Sequence, residues 1–127
     1  MGKLLQYFFY YQNLIKIFHW QTQNYAQHIA SDQLYNGLLP LIDKWVEVYQ
    51  GKYARLMFDD QKKVNVPLRN LDVQDFTLHL NQFKLFLMND IPDFLSKEKE
   101  MKNTDLLNIR DEMLALTNQT LYLLTLH

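Results

Sequence analysis

The chain has no cysteine. That removes disulfides, iron–sulfur clusters and thiolate zinc sites, and it fits a reducing compartment. Glycine and proline are scarce, three of each in 127 residues, while 48% of the residues are hydrophobic. The balance reads as a mostly helical protein with few turns. An excess of one charge is also missing: the formal net charge is −1, so there is no basic field to neutralise phosphates and nucleic acid is not an expected partner. No segment reaches the ~20 uninterrupted apolar residues of a membrane span. No membrane association is expected. The apolar stretch after Lys3 is broken by Tyr, Gln, Asn and Lys and is followed by no small-residue cleavage pattern, so it reads as a mature, cytoplasmic N-terminus rather than a secretory signal. The length suits one domain over residues 1–127, large enough to bury a core without crosslinks.

What is present is helical periodicity. Leu4, Phe8, Tyr11, Ile15, Phe18 and Thr22 recur at three- and four-residue steps, predicting a first helix from about Lys3 to Asn24. Tyr25–Ala30 reads as a connection, with Ser31 as the N-cap of a second helix and Asp32 in its acidic first turn. That helix runs to about Phe58 on a core stripe of Leu34, Leu38, Leu41, Trp45, Val48 and Leu56. Pro40 inside it removes a backbone donor and crowds the carbonyl of Asn36, predicting a bend or break. Residues 59–71 form the one long polar linker; a dozen extended residues reach ~40 Å, the length of a bundle. Asp72 and Asp75 open a third helix on Phe76, Leu80, Phe83 and Leu87, ending near Asn89 before Pro92. After the charged segment 96–103, Thr104 is the expected cap of a fourth helix, apolar over a wide arc that suggests an oligomer contact. The fold class is therefore all-α: a ferritin-like four-helix bundle with one long crossover between helices two and three.

The stretch from Phe18 to Gly51 gathers His19, His28, Asp32, Asp43 and Glu47. Two imidazoles and three carboxylates on otherwise apolar helices are a ligand set of the kind iron, zinc and manganese accept. Asp43 and Glu47 lie one turn apart, and Asp32 shares their side of the helix. In an antiparallel hairpin, however, His19 sits ~8 Å from the end of helix one while Asp43 sits ~18 Å into helix two and Glu47 ~24 Å. Either these residues are unrelated, or the histidines of one subunit meet the carboxylates of another across a two-fold axis. Each also has a plainer role: His19 as a helix-end histidine bonded to backbone, His28 as a loop residue, Asp32 as a cap, Asp43 and Glu47 as surface charges. His79 and His127 have no carboxylate at ligand spacing and read as structural or exposed.

The pair His19–Trp20, then His28 with Asp32 four residues on, then Asp43 fifteen residues after His28 and Glu47 four after that, resembles the signature of the Dps-type mini-ferritins. The resemblance covers residues 18–51; the later helices match only as amphipathic segments. The nine-residue interval between the histidines is shorter than usual in that family, and no basic arm precedes helix one. The resemblance implies Fe(II) as substrate and Fe(III) as product, oxidised by peroxide or dioxygen at sites between two-fold-related subunits, with His19, His28, Asp32, Asp43 and Glu47 as metal ligands and a homo-oligomer as the working form. The chain is also similar to small phage- and virus-encoded ferritin-like proteins. The competing expectation is therefore a non-enzymatic ferritin-like assembly protein, cytoplasmic, or virion-associated if the source is a virus.

Overall fold

Leu4, Phe8, Tyr11, Ile15 and Phe18 are all buried along α1, Gly2–Gln21, in the computed structural model, which describes residues 1–98 and 102–126. The four-three spacing puts them on one side of the helix, and that side is the core. A three-residue turn leads to α2, Tyr25–Lys52. The helix begins six residues before the expected Ser31 because Asn24, as good a cap as serine, accepts a hydrogen bond from the Gln27 amide at 3.0 Å. It also ends six residues before Phe58. Leu56 therefore lies beyond the helix, and its amide is held by the Gln50 side chain at 3.1 Å. The buried stripe of α2 is Leu34, Leu38, Ile42, Trp45 and Tyr49; Leu41 and Val48, expected there, are half-buried beside it. Pro40 breaks nothing. The helix runs through it without interruption, with Asn36 and Pro40 both exposed, so the carbonyl that lost its donor faces water.

Asp72 and Asp75 form a reciprocal capping box at the start of α3, Val73–Leu85. The helical path does not end near Asn89. It widens into a π turn at Phe86–Asp90 and continues as α4, Ile91–Leu95, with Pro92 in its first turn. The cause lies in the hydrogen-bond register. The Ile91 amide donates to the carbonyl of Phe86 instead of Leu87, and the residue that would serve Leu87 in the wider register is Pro92, which has no N–H. The stranded Leu87 carbonyl is taken by the Arg110 guanidinium at 3.0 Å. Arg110 belongs to α5, Thr104–Leu123, whose N-cap is Asn103, one residue before the expected Thr104. Leu106, Ile109 and Met113 are buried there, and the stripe then continues with Thr117 and Thr120. Their hydroxyls return to the carbonyls of Met113 at 2.8 Å and Leu116 at 3.0 Å, so neither hydroxyl is left bare.

The result is an all-helical, four-helix bundle, with the third helix carrying the π turn. Phe18 stacks on Phe76 with centroids 4.0 Å apart, Tyr11 meets Phe83 at 4.8 Å and Phe8 meets Phe86 at 5.3 Å. Numbers fall on one helix as they rise on the other. α1 and α3 are antiparallel. Lys52 pairs with Asp105 at 2.8 Å, and a Cβ added at Gly37 would lie 2.9 Å from Leu116 Cδ2, so α2 and α5 are antiparallel as well and approach closely at Gly37. Trp45 sits fully buried at the centre, edge-on to Phe8 at 5.8 Å. Burying each such ring contributes about 2–3 kcal/mol. The segment between α2 and α3 passes Phe58 beside Gly2 at one end of α1. Its far end is tied to Gln21 at the other, which accepts from the Leu71 amide at 2.8 Å and donates to the Arg69 carbonyl at 3.2 Å. No helix among the described residues is long and apolar enough to cross a membrane. His127 and part of the charged segment 96–103 lie outside the described residues.

Candidate functional site

The short turn between α1 and α2 brings His19 and His28 together. His19 closes the last turn of α1, where carbonyls run out of intrahelical donors. His28 lies in the first turn of α2. The two imidazoles stack with centroids 3.8 Å apart and planes 21° from parallel. Each ring bonds the other residue's backbone: His19 Nδ1 to the His28 carbonyl at 2.9 Å, and His28 Nδ1 to the His19 carbonyl at 2.9 Å. A carbonyl only accepts, so both Nδ1 atoms carry the proton and both Nε2 atoms keep a lone pair when the rings are neutral. This is the reciprocal clasp that locks the hairpin. It is also the ring arrangement in which histidines usually serve a metal, with the second nitrogen held by a backbone oxygen.

Ser31 completes the clasp from one turn further along α2. Its hydroxyl lies 3.3 Å from His19 Nδ1 and donates back to the Gln27 carbonyl at 2.9 Å. The residue expected to cap α2 is instead fully buried inside it. Asp32, expected in the first turn, sits in the second, and its Oδ1 lies 3.8 Å from His19 Nε2. At that distance the carboxylate faces the free lone pair without bonding it. The structure thus brings His19, His28 and Asp32 to one end of the α1–α2 hairpin. His19 is 7% exposed, His28 and Asp32 are half-buried, and Trp20, 70% exposed, stands beside them. Lys16 reaches from the previous turn of α1 over the rings of Trp20 at 5.7 Å and Tyr35 at 4.6 Å.

Asp43 and Glu47 are not part of this cluster within the chain. Both are exposed on α2, and neither makes an ion pair among the described residues. Because α2 begins at Tyr25, Asp43 lies about 27 Å along it, further from the turn than the ~18 Å expected from a start at Ser31. Among the described residues no three His, Asp or Glu side chains are gathered closely enough to hold a metal ion by themselves. The plainer role of His19, a helix-end histidine bonded to backbone, is realised in full. What sequence reasoning missed is its reciprocity: the carbonyl it binds belongs to the other histidine. The signal was available in Asn24, whose capping side chain starts α2 early enough to bring His28 back over His19.

A family model described as a family of unknown function, DUF5856, matches residues 19–124. No curated protein and no solved structure matches the chain. The matched region opens on His19 and contains all five residues of the candidate set.

Proposed function

The chain belongs to the DUF5856 family, and from its own residues we propose that it is an iron-binding, ferritin-like protein that oxidises Fe(II) at a site shared by two copies. The observation that carries this reading is the clasp. Two Nδ1 atoms committed to backbone carbonyls leave two Nε2 lone pairs, and Asp32 stands 3.8 Å from one of them. Two nitrogens and one carboxylate are an incomplete set for iron. Asp43 and Glu47, exposed and one turn apart on α2, supply what is missing when they come from a second copy related by a two-fold axis. Neutral imidazoles and ionised carboxylates offset the charge of Fe(II) and leave positions for oxidant. In the peroxide reaction, two Fe(II) give up one electron each, the peroxide takes both electrons and two protons, and two waters leave.

The ferritin-like description belongs to the same proposal. Its support is the linker between α2 and α3, which starts beside Gly2 and finishes on Gln21, opposite ends of α1, as a crossover connection would. The assay is aerobic Fe(II) oxidation followed by ferric absorbance. Wild-type protein is expected to exceed the buffer rate, and Asp43→Asn with Glu47→Gln to remove the excess without altering the fold, since both residues are exposed. An unchanged rate in that variant overturns the proposal.

One observation favours a second reading. Each histidine already commits its Nδ1 to holding the hairpin, and among the described residues no carboxylate approaches either ring within bonding distance. On that reading the clasp is structural and the bundle is a non-enzymatic assembly protein. Purified protein free of iron, assembling normally when Asp43 and Glu47 are neutralised, is its expected signature.

A further inference from the structure

At the far end of α1 from the histidines lies a cleft of about 460 Å³ between α1, the linker and α3. Three tyrosines line it, Tyr7, Tyr10 and Tyr11, together with Gln82, Lys3 and Lys63. Among the described residues no carboxylate is in its wall. Asp90 and Asp93 stand beyond Tyr7 in a neighbouring cleft that shares Lys3. Neither Lys3 nor Lys63 makes an ion pair among the described residues. The hydroxyl of Tyr11, a residue 5% exposed, is kept protonated by burial and by the neighbouring Tyr10, Tyr7 and Asp90, its pKa pushed up to about 12. It can therefore donate at any working pH.

We propose that this cleft binds a small organic anion, a phosphate or carboxylate borne on a flat ring. Two lysines without an ion-pair partner among the described residues, Lys3 from α1 and Lys63 from the linker, share a wall that has no acid of its own among those residues, which favours negative charge. Phenol and amide donors supply hydrogen bonds to its oxygens. The volume falls within the ordinary range of small-molecule sites, well beyond what a bare inorganic anion fills, and the tyrosine rings provide apolar area for the remainder. Lys63 sits on the linker, so a bound anion also ties that segment to α1. The site does not depend on the iron proposal. It lies at the other end of the helix and uses none of the same residues.

The test is isothermal titration at low ionic strength with AMP and benzoate, against adenosine and benzamide as uncharged counterparts. At least one of the two anions binds saturably, and its uncharged counterpart binds about tenfold more weakly or not at all. Lys3→Gln with Lys63→Gln weakens the anion about tenfold, the scale of two exposed charge contacts, and raising salt erodes the wild-type affinity. Both lysines are exposed, so the variant retains its helical circular dichroism. The site is refuted if neither anion binds, if adenosine or benzamide matches its charged partner, or if the double variant binds as tightly as wild type.

Discussion

Replacing His28 with leucine isolates the clasp. The side chain no longer donates to the His19 carbonyl, a bond of 2.9 Å at the end of α1 where no helical donor replaces it. A net hydrogen bond is worth about 0.5–1.5 kcal/mol, and the carbonyl left without a partner adds to the loss, for about 1–3 kcal/mol in all. His28 is half-buried, so water recovers part of this. Leucine is also the better helix former, by a few tenths of a kcal/mol. The expected net destabilisation is therefore about 1 kcal/mol. His28→Asn serves as the control, because its side-chain amide takes the position of Nδ1–H while Nε2 is removed. It should sit clearly nearer wild type than leucine does. Urea melts at pH 7.5 give both numbers from the shift in midpoint at constant slope. If leucine and asparagine destabilise equally, or if leucine costs nothing, the clasp is not what holds the hairpin.

Arg110→Met should cost about 1.5–3 kcal/mol, the scale of a charged hydrogen bond to a buried carbonyl, and less in a Pro92→Ala background, where residue 92 regains an N–H for the π turn; equal costs in both backgrounds on urea melts would exclude that coupling. Burial, with a smaller push from Arg69, holds the His79 imidazole below its ordinary value of 6.5. The unfolded chain therefore binds this proton more readily. Stability contributed by His79 is intact above about pH 6.5 and falls as the pH drops from there toward the folded value. His79→Gln should lose less melting temperature than wild type between pH 7.5 and 5.5, and identical losses would show that His79 does not contribute.

The stripes of α1 and α3 were legible because large apolar side chains recur there at a clean period with polar residues between them. The stripe of α2 was less so. Ile42 and Tyr49 compete with Leu41 and Val48, one position away, and hydropathy alone does not rank them; the tertiary packing does, as where Tyr49 meets Phe94. The π turn was hidden, since Pro92 reads as a stop signal and only the Arg110 side chain, from the next helix, makes the freed carbonyl acceptable. At the site, the spacing of His28 and Asp32 was visible. That Ser31 would be buried under His19 was not, because a cap and an interior serine look the same in one dimension. Asp43 and Glu47 stay where helix geometry put them, far from the turn, and any meeting with the histidines is between molecules rather than along the chain.

That meeting is the central claim, and subunit mixing tests it most directly. One variant carries His19→Asn and His28→Asn, which keep the carbonyl bonds and remove both Nε2 atoms. The other carries Asp43→Asn and Glu47→Gln. Each alone should oxidise Fe(II) no faster than buffer. Unfolded together in equal amounts and refolded, half the two-fold pairs are mixed and each holds one intact site of two, so about a quarter of the wild-type rate should return. Two inactive parents that stay inactive after mixing would contradict a site built from both copies.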